Sequence, residues 1–310
     1  MFKRILLACD FSPHAEVAKQ VAQTLAQGED KQLWALTVIE PLEEPLAEVG
    51  EPPLVATQAW QRAVASSEKE LEQERSQRLA QDKAELEAAE INVSCMVRVG
   101  DPAEEILKAA KETNADLIIM GSHSKRTFWE VVLGSVTEKV AKQASCPVLI
   151  VSHRPPHPGM THQRVLFATD FSPHAGVAFK VALSLAKEGK QHLYLLTVIP
   201  SFGEQKLDLW VDSEAEAERQ LNKLATQARE RGIQTGTLVR HGNAAKEINK
   251  AALDVDADLI VLGSHSRRSI WDVLLGNTAE SVSRKAFCPV LILSHLPGKN
   301  ANSGGGRQMI

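Results

Sequence analysis

Residues 10–27 read DFSPHAEVAKQVAQTLAQ, and residues 170–187 read DFSPHAGVAFKVALSLAK, the same passage displaced by 160 positions. A repeat of this length governs how every other segment is read. LTVIE at 36–40 returns as LTVIP at 196–200, again displaced by 160. Further on, VRVGDPAEEI at 97–106 matches VRHGNAAKEI at 239–248, and the displacement has become 142. It stays there through ADLIIMGSHS and ADLIVLGSHS, and on to CPVLI at 146 and 288. The halves therefore differ by one net indel of 18 residues, placed between Ile39 and Val97.

A chain of 310 residues suits two such units, each large enough to bury a core without disulfides or metals. The expected division is a first domain at 1–153, a linker at 154–162, a second domain at 163–296 and a disordered tail at 297–310. The linker reads RPPHPGMTH, whose prolines and glycine resist regular structure. A net charge of −4 gives no electrostatic reason to expect nucleic acid. Cys9, Cys95, Cys146 and Cys288 form no CxxC pair and read as free thiols of a reducing compartment. The start, MFKRILLACD, has five uncharged apolar residues between its basic pair and Asp10, too few for a signal peptide or a membrane span. The expected location is the cytoplasm.

Within each half, short apolar runs alternate with helical patterns, the mark of parallel strands joined by right-handed crossovers. The runs fall at 3–9, 33–39, 92–98, 116–121 and 147–152, then at 163–169, 192–198, 233–239, 258–263 and 289–294. They are nearly continuous apolar stretches, as strands are when helices cover both faces of their sheet. Ser12 with Pro13, and Ser172 with Pro173, supply an N-cap and a first-turn proline to each first helix. A long helix is expected over 57–90, with Trp60, Val64, Leu71, Leu79 and Leu86 as one apolar stripe packed on its own sheet. The fold class is α/β, with two five-stranded doubly wound domains.

The most faithful repeats fall where open parallel sheets bind ligands, beyond the carboxyl ends of the strands. Asp10 and Asp170 end the first strands, Val38 and Val198 lie near the ends of the second, and Gly100 and Gly242 follow the third. After the fourth strands come GSHSKRTFWEVVLG at 121–134 and GSHSRRSIWDVLLG at 263–276, identical at nine of fourteen positions. Glycines let backbone N–H groups approach an anion, and the helices SVTEKVAKQ and NTAESVSRK that follow offer unpaired donors at their starts. His123 and His265 read as loop-stabilising residues, and Trp129 and Trp271 as packing residues. His153, His157 and His162 flank a proline-rich linker that does not fix metal ligands, and no metal site is expected.

These residues resemble the universal stress protein family, and the resemblance covers both halves nearly end to end. Nucleotide-binding members carry Gly-x2-Gly-x9-Gly-Ser/Thr after the fourth strand and an Asp at the end of the first. The first half offers Gly121, Ser124, Gly134 and Ser135; the second offers Gly263, Ser266, Gly276, Asn277 and Thr278. Serine replaces the second glycine in both, and Asn277 the final Ser/Thr in the second. The resemblance implies a Rossmann-like strand order 3-2-1-4-5 and an adenine nucleotide, ATP or AMP, with Mg2+ assisting on the phosphates. It implies that Asp10 and Val38, the latter through its backbone, lie at the adenine and ribose end. It also implies that the two fifth strands pair within the chain as an internal pseudo-dimer, and leaves open a homodimer of whole chains and protein partners. The expected function is a stress-response binding protein, not an enzyme. The alternatives are a nucleotide-free scaffold and a slow ATPase, although no GxxxxGK[ST] loop occurs.

Overall fold

The computed structural model describes residues 1–41, 54–122, 133–152, 164–189, 192–200, 207–263 and 277–293, with backbone alone at 54–65, 174, 189, 207–213 and 277. The first half runs β1 (Arg4–Ala8), α1 (Pro13–Leu25), β2 (Gln32–Ile39), α2 (Leu54–Ala88), β3 (Val93–Val99), α3 (Pro102–Glu112), β4 (Leu117–Gly121), α4 (Ser135–Gln143) and β5 (Val148–Val151). The second half repeats it as β6 (Arg164–Ala168), α5 (Pro173–Gly189), β7 (His192–Ile199), α6 (Leu207–Arg229), β8 (Gln234–His241), α7 (Ala244–Asp254), β9 (Leu259–Gly263), α8 (Asn277–Lys285) and β10 (Val290–Leu293). The expected linker and tail lie outside the described residues. Among the described residues, no helix is long and apolar enough to cross a membrane.

All ten strands form one sheet, in the order β3-β2-β1-β4-β5-β10-β9-β6-β7-β8. Each half therefore has the order 3-2-1-4-5, parallel throughout. The seam between them is antiparallel, with Ile150 opposite Val290, Leu149 opposite Leu291 and Val148 opposite Ile292. Leu291 is the counterpart of Leu149 at the displacement of 142, so the seam pairs each strand with its own copy. That is an isologous contact about a pseudo-twofold axis, and it covers an edge on both halves.

The seam also merges the cores. One apolar layer contains Ile5, Leu7, Leu149 and Val151 with Val165, Phe167, Leu291 and Leu293. The opposite layer contains Leu6, Ile118, Val148 and Ile150 with Leu166, Ile260, Val290 and Ile292. Alternate strand residues feed opposite layers, and both layers cross the seam. β4, β5, β9 and β10 are buried along their apolar lengths, whereas the outermost strands, β3 and β8, are partly exposed.

Local chemistry starts the helices where the sequence indicates. Ser12 Oγ accepts from Ala15 N at 3.2 Å, and Ser172 Oγ from Ala175 N at 3.2 Å. Asp101 and Asn243 cap α3 and α7 in the same way. On α2, Leu79 and Leu86 enter the sheet's apolar layer and Leu71 is half-buried; the side chains of Trp60 and Val64 lie outside the described residues.

Candidate functional site

Between β1 and β4 the strand order reverses, which opens a crevice beyond their carboxyl ends. Ala8 pairs with Leu36 and with Met120, so two residues further on Asp10 stands level with Val38 and Ser122. The counterpart in the second half lies between β6 and β9, where Ala168 pairs with Leu196 and Asp170 stands level with Val198.

Asp10 builds the turn that leaves β1. Its Oδ1 accepts from Ser12 N at 3.0 Å, an Asx turn that bridges Phe11. Phe11 is held at φ 59°, in the left-handed region that disfavours residues with a side chain. The second half reproduces this: Asp170 Oδ1 accepts from Ser172 N at 2.9 Å, and Phe171 also has φ 59°. Cys9, just before the turn, is buried, and burial pushes its thiol up to about 12, with the Phe11 N–H acting in the opposite direction. It stays protonated at neutral pH.

Gly100 and Gly242 are turn glycines. Gly100 has φ 149° and donates to the Ile39 carbonyl at 3.0 Å; Gly242 has φ 134° and donates to Ile199 at 2.9 Å. Only glycine adopts this backbone without strain, and each leads directly into an N-cap. Gly121 needs glycine for closeness. A Cβ there would stand 2.9 Å from His14 Cβ and 3.2 Å from the His14 carbonyl carbon, so β4 could no longer pass beneath the first turn of α1.

Gly134 closes the loop that Gly121 opens. Its N–H donates to the Ser122 carbonyl at 3.0 Å, and Ser122 N in turn donates to Val151 at 2.9 Å. Gly134 is also the N-cap of α4, with no side-chain hydrogen bond in that role. Thr137 Oγ1, one turn in, donates to the Gly121 carbonyl at 3.0 Å and ties the helix start to β4. Ser135 is exposed at the first turn. A helix start arranged in this way presents N–H donors and partial positive charge to the crevice.

In the second half Gly263 ends β9, Asn277 opens α8, and Thr278 is half-buried beside it. Ser124, Ser266 and Gly276 lie outside the described residues, as do His123, Lys125, Arg126, Trp129, His265, Arg267, Arg268 and Trp271. The structure thus places Asp10, Val38, Gly100 and Gly121 at the carboxyl ends of the adjacent strands β1, β2, β3 and β4, with Gly134 and Ser135 tied there through Ser122. Sequence reasoning missed Thr137 and the strained Phe11 and Phe171. The Asp-x-Ser spacing was the available signal for the latter pair.

The universal stress protein family's sequence profile matches residues 1–152 and again residues 161–294. The chain belongs to that family. A universal stress protein of Methanocaldococcus jannaschii is 34% identical over 158 residues, spanning 50% of this chain and 97% of that protein. One from Thermus aquaticus is 37% identical over 151 residues, spanning 49% of this chain and 99% of that protein. These relatives each match one half's worth of sequence. The crystal structure of a universal stress protein from Archaeoglobus fulgidus matches the whole arrangement, with a TM-score of 0.60, 26% identity, and coverage of 93% of this chain and 95% of that one. Membership and the tandem architecture are therefore established together.

Proposed function

We propose that each half binds an adenine nucleotide, ATP or AMP, at the crevice where its strand order reverses, and that occupancy alters the protein's interactions. The observation that carries this reading is that Asp10 and Ser122 stand level beyond β1 and β4, and that the Ser122 carbonyl accepts from Gly134, the N-cap of α4, at 3.0 Å. A carboxylate at the end of β1 suits ribose hydroxyls or a base amine. The start of α4 suits phosphate oxygens, because its donors point outward and its dipole favours anions. Val38 contributes backbone groups, and Ser124, Ser135 and Gly121 line the phosphate side. Asp170, Val198, Gly242, Gly263, Ser266, Gly276, Asn277 and Thr278 form the corresponding set within the second domain, 163–296.

Mg2+ fits such a site as an ion carried chiefly by phosphate oxygens and water. Among the described residues no three His, Cys, Asp or Glu side chains group as a ligand set, so the carboxylate of Asp10 would assist and not cage it. The phosphate lysine of a P-loop is missing from the sequence, which supports binding over turnover.

Titration calorimetry with ATP and Mg2+, together with mass analysis of nucleotide extracted from fresh protein, tests the reading. Two sites per chain are expected. Gly134→Asp places a favoured N-cap and a negative charge at the start of α4. It should abolish binding in the first half while the melting temperature holds or rises. Wild-type protein that yields no heat and carries no nucleotide would sink the proposal. Phosphate release beyond one equivalent per site would favour an enzyme instead.

A further inference from the structure

Among the described residues, three side chains bury polar atoms that have no hydrogen-bond partner: Thr37 at Oγ1, Ser152 at Oγ, and Asn249 at both amide atoms. Leaving such an atom unpaired costs folding free energy, so each calls for a physical reason. Asn249 lies midway along α7. Thr37 lies inside β2 and alternates onto the layer of Leu33 and Ala35, beneath α1 and α2. Ser152 is placed differently, as the first residue beyond β5.

The strand register puts Ser152 at the candidate site. Gly121 pairs with Val151, so Ser152 stands level with Ser122, just as Ser122 stands level with Asp10 and Asp10 with Val38. Four adjacent strands, β2, β1, β4 and β5, thus end in one row. Met120 and Ile150 belong to the layer that α3 and α4 cover. Two residues on, Ser122 and Ser152 fall on that same face. The Ser122 carbonyl accepts from Gly134, so the start of α4 is anchored at this end of the row. From Asp10 to Ser152 is two strand spacings, about 10 Å.

We propose that the Ser152 hydroxyl is a donor to the distal phosphate of the first site's nucleotide, and that it makes this site select a nucleoside triphosphate over a monophosphate. The inference rests on the nucleotide reading above, with the ribose end at Asp10. A monophosphate held there reaches the start of α4 and stops, whereas a triphosphate continues along the row toward β5. No hydrogen bond among the described residues holds the Ser152 side chain in its buried rotamer, and the residue as a whole is only half-buried. A χ1 rotation therefore delivers the hydroxyl to a ligand. The group is unpaired in the free chain and paired in the loaded one, so its pairing energy is released on binding. Ser294, its counterpart at the displacement of 142, lies outside the described residues.

The test uses the full-length chain carrying Asp170→Ala, in which the first half reports. Titration calorimetry with Mg2+ should give a lower dissociation constant for ATP than for AMP. Adding Ser152→Ala should raise the ATP constant about fivefold to tenfold, the loss of one hydrogen bond to a charged oxygen. The constants for AMP and adenosine should not move. Ser152→Thr keeps the hydroxyl and should bind ATP more tightly than Ser152→Ala. The melting temperature of ligand-free Ser152→Ala protein should hold or rise, because the substitution removes an unpaired buried group. A hydroxyl that served the fold alone would lower it and leave the ATP constant untouched. Equal constants for ATP and AMP before the substitution, or equal losses for ATP, AMP and adenosine after it, would overturn the inference. If the unsubstituted chain binds no nucleotide, the functional reading fails and the role of Ser152 falls with it. If it binds ATP and the Ser152→Ala chain binds equally well, the role of Ser152 alone falls.

Discussion

Lys19 of α1 and Phe179 of α5 occupy equivalent positions, 160 residues apart, and both are buried. Lys19 Nζ meets Asp82 at 2.7 Å, Glu85 at 3.0 Å and Glu16 at 3.1 Å, tying α1 to α2. Phe179 belongs to the apolar layer, with its ring 5.5 Å from that of Phe167. The counterpart of Asp82 on α6 is Leu224, which packs against the same layer. The exchange was made on both helices: a charged pair on one side of the molecule, an apolar pair on the other. One backbone junction accepts either solution, provided no charge is left buried alone.

The largest expected effect breaks that pairing. Lys19→Ala should cost about 3 kcal/mol, read by urea unfolding, because it strands the Asp82 carboxylate in a half-buried site. Lys19→Phe combined with Asp82→Leu copies the second half and should return most of the loss. A double variant as unstable as the single one would refute the equivalence. The pH dependence follows from the lysine's shift. Burial alone would lower its pKa, but the hydrogen bonds its ammonium donates to Asp82, Glu85 and Glu16 outweigh it and the value is raised. Its stabilisation is therefore complete below the ordinary lysine pKa and lost as pH rises through the folded value. The double variant should lose this alkaline sensitivity.

A smaller effect sharpens the comparison at the site. Thr137 ties α4 to Gly121, and its counterpart in the second half is Ala279, buried and without a hydroxyl. Thr137→Ala should cost about 1 kcal/mol in thermal unfolding, the value of one hydrogen bond. A neutral result would show that the halves close their loops equivalently.

The smallest expected effect is on acidification. Asp101 caps α3 where Asn243 caps α7. The Glu104 N–H chiefly, with Lys139 assisting, lowers the pKa of Asp101 against the opposing effect of desolvation. Its contribution is present above the ordinary carboxylate pKa and fades as pH falls through the lowered one. Hydrogen exchange at the start of α3 should therefore quicken below about pH 4, while that at α7 does not. Asp101→Asn should equalise the two.

Much of this was legible without coordinates because it is local. The Ser-Pro helix starts, the continuous apolar strands and the glycines before the N-caps are short-range signals, and their repetition at 160 and then 142 positions reinforced each one. The strand-end positions of Asp10 and Asp170 were legible, whereas their Asx turns and the strained phenylalanines between each aspartate and its serine were not. The contact from Arg75 Nη1 on α2 to the Asp10 carbonyl, 3.1 Å, was hidden among the charges of a long helix, where solvated and contacting residues look alike in sequence.

The sequence by itself determined that the chain folds the same α/β unit twice, since hydrophobic periodicity and turn chemistry are properties of neighbours along the chain. Only the tertiary structure decided which side chains meet across 65 positions, as Arg75 and Asp10 do, and which buried charges find partners, as Lys19 and Asp82 do. Those contacts depend on how helices lie against the sheet. That placement follows from the packing of whole layers, and no single segment encodes it.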